Sequence, residues 1–304
     1  MKISIALCTY NGGLFLAEQL KSIEAQTRQP DELVVCDDGS SDDTMEILER
    51  FSGAAAFPVR IVRNDSNLGV VANFRRAISL CSGDLTALSD QDDVWLSEKL
   101  KHAEDALMKC DAPECALYCS RLQYVDADLN PLGFSGIPRN TGFSNAVVEN
   151  SATGCTVVFG AEIKKRFLQA EPEVMIMHDW WLYLLAGTFG KVIYDPTQSV
   201  LYRQHGNNVA GWEPRPAKLR HRIHSLYRRL QTGHEGMDSL NQTRRFMATY
   251  TDMPDEKRHV VDELVSLRRT GFLRRLNYLL SVKVSRNDTI ENIGLKIIIL
   301  MGWH

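Results

Sequence analysis

Asp90-Gln91-Asp92-Asp93 sets three carboxylates within four residues, directly after the apolar run Leu85–Ser89. Groups of one sign crowded this way repel unless positive charge sits among them. A divalent cation is the natural partner. Oxygen-only ligands suit Mg²⁺ or Mn²⁺, which complete their shells with substrate phosphates. A helix cap accounts for Asp93 but leaves Asp90 and Asp92 unexplained. A second acidic pair, Asp37-Asp38, runs into Gly39-Ser40. Turn and N-cap chemistry explains it blandly. The functional reading has one carboxylate accept the N3–H of uracil or thymine, a donor that adenine lacks.

These residues fall where the chain passes from strand to helix. Strands are predicted over Ile3–Thr9, Glu32–Asp37, Val59–Arg63 and Leu85–Ser89, and helices over 14–26, 43–51, 70–81 and 97–109. Such alternation predicts a parallel sheet with helices on both faces, and ligands bind such sheets at the carboxyl ends of the strands. Thr9, Tyr10 and Asn11-Gly12-Gly13, then Asp37-Asp38, then Asn67-Leu68-Gly69, then Asp90-Gln91-Asp92-Asp93 should therefore meet at one edge. Neither the dinucleotide fingerprint nor the P-loop motif occurs there.

Further strands are expected over Ala116–Val125, 154–159, 191–195 and 199–202, a loop over 126–150 and an apolar helix over 179–189. The chain has 304 residues, 35 Lys+Arg against 38 Asp+Glu and a net charge of −3, which excludes a disordered chain and argues against a nucleic-acid binder. Seven cysteines include no C-x-x-C pair, pointing to a reducing cytosolic compartment rather than a zinc site. The run Ile3–Cys8 is too short for a signal peptide, and no stretch approaches the ~18 apolar residues of a membrane span. Pro214 and Pro216 mark a boundary near 212–216, after which residues 213–246 carry a local +5.

In combination, T-Y-N-G-G, D-D-G-S-S-D-D-T, N-L-G and S-D-Q-D-D-V-W resemble glycosyltransferase family 2 over about residues 1–212. The resemblance implies the GT-A fold, a mixed, mostly parallel α/β sheet flanked by helices. It divides the chain into a nucleotide-binding half over about 1–110, an acceptor half over about 111–212 and a basic helical region over 213–304. Asp92 is then the metal ligand for Mn²⁺ or Mg²⁺ and Asp90 contacts the ribose or the metal shell. Asp38 binds the base beside Thr9 and Tyr10, and Asn67 and Asn73 line the nucleotide pocket. The family has its catalytic base in an [E/H]-D element, which His178-Asp179 matches, so Asp179 takes that role. An acceptor hydroxyl needs such a base, and a helix N-terminus favours the ionised form. Tyr202-Arg203-Gln204-His205-Gly206-Asn207-Asn208 matches a closing loop, with His205 near the metal and Arg203 near the phosphates.

The implied activity is inverting sugar transfer. The D-Q-D-D-V-W, H-D-W-W and Y-R-Q-H-G-N-N set looks most like bacterial rhamnosyltransferases using dTDP-L-rhamnose, acting on a lipid-linked surface polysaccharide or O-antigen acceptor. A UDP-hexose donor stays open. Two other classes compete. Asp90-x-Asp92-x-Val94 also fits the opening motif of haloacid-dehalogenase-like phosphatases, but without downstream partners, and a non-catalytic membrane-surface assembly protein would not need Asp38, Asp90, Asp92 and Asp179. Trp180 and Trp181 either stack on an acceptor sugar or fill the core. Leu219, Ile223, Leu226 and Leu230 recur at helical spacing among basic residues, and the chain ends in the apolar run 297–303. These segments either hold the protein peripherally at the anionic inner face of the membrane or pack as ordinary helices.

Overall fold

The structure, a computed structural model, describes residues 1–205, 238–281 and 284–302. Most of the basic segment, with Leu219, Ile223, Leu226 and Leu230, lies outside the described residues, as do Asn207, Asn208 and Trp303.

β1 (Ile3–Thr9), β2 (Glu32–Asp37) and β4 (Leu85–Ser89) are continuous or nearly continuous apolar runs bounded by polar turns, and β3 (Val59–Arg63) carries Arg60 and Arg63 among Val59, Ile61 and Val62. They pair in parallel in the order β3-β2-β1-β4. Burial of both faces is what such near-unbroken apolar strands require, and every residue of β1 and β4 is buried. The intervening helices are α1 (Leu16–Glu24), α2 (Thr44–Ser52) and α3 (Val70–Leu80). In α1 the buried Leu16, Leu20 and Ile23 keep the helical period and face the sheet. Beyond β4 come β5 (Val94–Trp95), α4 (Lys99–Met108), β6 (Ala116–Val125), β7 (Pro131–Phe134), α5 (Phe143–Ala146), β8 (Val158–Gly160), α6 (Ala161–Phe167), α7 (His178–Phe189) and β9 (Lys191–Arg203). Among the described residues the sheet has nine strands and continues β4-β8-β6-β9-β5, with β7 against β6. β8 runs antiparallel to β4 and β6, so the sheet is mixed. The expected α/β architecture is present.

Several expectations shift in detail. The predicted loop over 126–150 contains β7 and α5. The two short strands expected over 191–195 and 199–202 are one strand, because the pairing steps from Ser120↔Asp195 to Arg121↔Gln198 and bulges out Pro196-Thr197. A proline cannot donate to the ladder, so a strand crosses it only by such a bulge. The strand expected over 154–159 opens as a 3₁₀ turn at Gly154–Thr156 before β8.

Of the described residues, 1–137, 152–186 and 190–205 form one compact unit. Residues 138–151, 187–189, 238–281 and 284–302 form a second, with α8 (Asp238–Thr249), α9 (Asp255–Ser266), α10 (Phe272–Ser281) and α11 (Thr289–Met301). Inside this second unit, Phe246 and Tyr250 pack at 4.6 Å between ring centres. Lys257 Nζ donates to the Gly187 and Thr188 carbonyls at 3.0 and 2.7 Å. From the apolar terminal run, Ile298 and Ile299 are buried here. No helix among the described residues is long and apolar enough to cross a membrane.

Gly190 sits between α7 and β9, and a Cβ there would lie 1.7 Å from the Cys115 carbonyl oxygen, just ahead of β6. Both groups are backbone and cannot swing aside. Gly190→Ala should destabilise by about 1–3 kcal/mol through overpacking, seen as a lowered midpoint in thermal unfolding. An unchanged midpoint would mean that the β6–β9 junction has slack.

Candidate active site

The loops after the parallel strands are stitched to one another before they meet any ligand. Asp37 accepts the Thr9 hydroxyl at 3.0 Å, the Ser40 hydroxyl, and the Gly39 and Ser40 amides at 3.2 and 2.9 Å. That turn needs Gly39 at φ +83°, a region closed to most side chains. Asn11 N–H donates to Ser40 Oγ and Gly12 N–H to Thr44 Oγ1, at 2.8 and 2.9 Å. Gln91 exchanges two hydrogen bonds with the Tyr10 backbone, at 2.8 and 3.0 Å. The first, second and fourth loops thus hold one another in place.

A cavity of about 370 Å³ opens between them. Thr9, Tyr10, Asp38, Asn67, Asn73, Asp90 and Asp92 all line it, with Phe74 and Gln91. Asp38 is buried in its wall. It accepts from Asn64 Nδ2 at 2.7 Å and from the Leu68 and Gly69 amides at 2.8 and 2.9 Å. Three protein donors occupy three of its roughly four acceptor positions, so Asp38 also shapes the Asn67-Leu68-Gly69 loop. Asn73 is buried, its Nδ2 donating to the Cys36 carbonyl and its Oδ1 accepting from Asn64, both at 2.9 Å. Asn67 accepts the Gly69 amide at 3.1 Å.

The acidic end is electrostatically tense. Burial, then the neighbouring Asp92 and Asp179 carboxylates, push the Asp90 carboxyl up to about 7. Burial also pushes the Asp93 carboxyl well above the usual range, with Asp90 and Asp92 adding to it. Asp93 is wholly buried and is no helix cap, since Glu98 precedes α4. Asp92 Oδ2 lies 2.7 Å from His205 Nε2, so the expected metal pair is brought together at a partly open position. A second donor group, Asp90, Asp93 and Cys155, lies within 4.8 Å. The donors fit a hard cation: oxygen atoms plus one imidazole, at a place where unrelieved negative charge is costly. Asp92 lines the cavity, His205 beside it is half-buried and is not among the cavity-lining residues, and Asp93 and Cys155 are sealed in the core.

Arg203 has a different position from the one expected. Its side chain is buried and does not line the cavity. The guanidinium donates to the Asp92 carbonyl at 3.0 Å, to the Ala127 carbonyl and to Glu18, and lies 4.4 Å over the Phe15 ring. It holds the acidic loop from beneath.

Asp179 is buried in the first turn of α7. Gly154 N–H donates to its Oδ2 at 3.0 Å and Trp180 N–H to its Oδ1 at 2.7 Å. Phe74 connects this turn to the cavity, stacking on His178 at 3.9 Å and 17° and also lining the cavity. Trp181 is fully buried and belongs to the core.

Three buried groups have a character that their sequence positions do not show. Burial pulls the Lys99 ammonium down to about 7; its Nζ lies 3.7 Å over Trp95 and has no hydrogen-bond partner among the described residues. Burial pushes the Cys155 thiol well up, beside Asp93. Neither ring nitrogen of the buried His178 has a hydrogen-bond partner among the described residues. Of the three, only His178 had a sequence cue, its place before Asp179.

Residues 4–149 match the profile of Glycosyl transferase family 2. Over 222 residues, spanning 67% of this chain and 73% of the relative, the sequence is 31% identical to the dTDP-rhamnosyl transferase RfbG of Shigella flexneri. This chain belongs to glycosyltransferase family 2. An uncharacterized glycosyltransferase of Nostoc is 22% identical over 68% of the chain and 66% of the relative. Among solved structures, S. aureus TarS 1–349 in complex with UDP-GlcNAc superposes with a TM-score of 0.57, covering 98% of this chain and 90% of that one at 15% identity. GalNAc-T7 with UDP, GalNAc and Mn²⁺ gives 0.55 over 70% of this chain and 45% of that one, at 13%. At such identities they share the GT-A fold with this glycosyltransferase. The family membership removes the phosphatase alternative: the Asp90-x-Asp92 motif follows the fourth strand of a GT-A sheet.

His178 supplies a pH prediction for this glycosyltransferase. Burial lowers its pKa to about 3. As pH falls below the ordinary histidine value, the unfolded chain binds a proton that the folded chain refuses, so stability falls. Denaturant unfolding between about pH 6 and 4.5 should show the wild type losing up to ~1.4 kcal/mol per pH unit more than His178→Phe. Identical slopes would place the imidazole in water rather than in the core.

Proposed function

We propose that this glycosyltransferase is a divalent-metal-dependent, inverting enzyme moving L-rhamnosyl from dTDP-L-rhamnose to a saccharide acceptor, carried on a lipid, in bacterial surface polysaccharide synthesis. One observation carries the reading: a single cavity is lined both by Asp38, the candidate pyrimidine-reading carboxylate, and by the Asp90/Asp92 pair. A nucleoside diphosphate presents both chemistries, a base for Asp38 and phosphates for a cation held by the acidic pair. The identity to a dTDP-rhamnosyl transferase supports the donor.

Asp38 accepts the base N3–H at its remaining acceptor position, and Thr9, Tyr10, Asn67 and Asn73 wall the nucleoside. Asp90 faces the ribose. Asp92 and His205 would hold Mn²⁺ or Mg²⁺. That ion, when bound, supplies a Lewis acid for the departing diphosphate. Arg203 keeps the acidic loop in place from below. Asp179, oriented by the Gly154 and Trp180 amides, takes the proton of the acceptor hydroxyl as the new bond forms. With one base and no enzymic nucleophile, the sugar carbon inverts. Uracil carries the same N3–H as thymine, so a UDP-hexose is the second reading.

Asp179→Asn keeps the shape and the amide contacts but cannot take the proton. Transfer should fall ~10²–10⁴-fold while dTDP affinity, measured by calorimetry, stays unchanged. Normal turnover would make Asp179 a structural residue. A screen of UDP-, dTDP- and GDP-sugars with and without Mn²⁺ should show greatest turnover with dTDP-rhamnose. Preference for a GDP-sugar would remove the base assignment of Asp38, and full turnover in excess chelator would remove the metal.

A further inference from the structure

The helix α10 is inverted. Its apolar stripe faces outward: Phe272, Leu273, Leu276 and Leu280 are 55, 78, 38 and 76% exposed. These four share an arc of about 100° on a 3.6-residue helix, while Tyr278 on the other side is buried. Four large apolar side chains in one exposed stripe on a single helix are unlike the scattered surface leucines of ordinary proteins.

The charge around the stripe says what fits it. Residues 264–287 contain Arg268, Arg269, Arg274, Arg275, Lys283 and Arg286 and no Asp or Glu. Arg268, Arg269 and Arg274 are exposed. Arg275 is different: its guanidinium donates to the Leu267, Thr270 and Leu300 carbonyls at 3.2, 2.6 and 3.0 Å, tying α10 to the end of α11. The helix is thus fixed to its unit by one face and leaves its apolar face and three cations outside. A second copy would bring an equally cationic surface to the contact, and like charges repel. An anionic lipid surface matches both features, apolar burial at the acyl boundary and cations among the headgroups.

We propose that α10 and the preceding Arg268-Arg269 form the surface by which this protein docks on an anionic membrane, with Phe272, Leu273, Leu276 and Leu280 entering the acyl boundary. The purpose of this docking rests on the lipid-linked acceptor proposed above; the docking itself needs neither donor nor acceptor.

Sedimentation of the full chain with phosphatidylcholine vesicles, with and without phosphatidylglycerol, tests it in the absence of any sugar nucleotide. The wild type should sediment with the anionic vesicles only and be released by high salt. Leu273→Ser/Leu280→Ser and Arg268→Gln/Arg269→Gln/Arg274→Gln should each weaken binding, the second by about fivefold per arginine. Both should keep the wild-type thermal midpoint and wild-type hydrolysis of the sugar nucleotide, which shows that they fold. Absent binding by the wild type, equal binding to neutral vesicles, or unweakened binding by both variants would each overturn the proposal. Vesicle-free self-association abolished by the same substitutions would overturn it in favour of a dimer surface. Failure of transfer with intact vesicle binding would count against the proposed function alone.

Discussion

Carboxylates that repel one another are held together by the fold, and most of the site follows from that constraint. Asp90, Asp92, Asp93 and Asp179 gather where the β4 and β9 ends meet the start of α7, and burial makes the charges of Asp90 and Asp93 costly. Left alone, the acidic loop would splay into water. Arg203 prevents this from below by gripping the Asp92 carbonyl and Glu18, and the Gln91–Tyr10 exchange prevents it from the side. The raised Asp90 and Asp93 carboxyls are the residue of the tension that remains. A bound cation among them would relieve it.

This division of labour explains why residues of similar type have different fates. Asp37 and Asp38 are adjacent, yet Asp37 is spent on turn geometry while Asp38 also lines the cavity. Arg203 looks like a phosphate contact in a list of residues. Its guanidinium is needed instead as a structural counter-charge, because the tertiary fold brings Glu18 and two carbonyls beneath the loop.

β1, β2 and β4 were legible because each is an apolar run ended by polar turn residues, β3 because Val59, Ile61 and Val62 fall between polar stretches, and the cavity-lining set was legible because loops at carboxyl ends must converge. What was not legible has physical reasons. β5 has two residues and α6 has seven, too few to establish a period. Pro196 disguised β9 as two strands, since a bulge that passes a proline depends on the partner strand. The Asp93, Lys99 and Cys155 group could not be read because burial decides its character, and Lys99 in the sequence is an ordinary first-turn lysine. The outward face of α10 was missed likewise: its spacing fits an inward stripe equally well, and only the tertiary contacts of Tyr278 and Arg275 decide which way it turns.

The central claim is that the acidic end is built to be completed by a cation that also binds a nucleoside diphosphate. Calorimetric titration of dTDP with and without Mn²⁺, on the wild type and on Asp92→Ala, tests it most directly. The account predicts that Mn²⁺ tightens dTDP binding to the wild type and that Asp92→Ala loses most of that gain while folding normally. Equal dTDP affinity with and without Mn²⁺ in the wild type would contradict it.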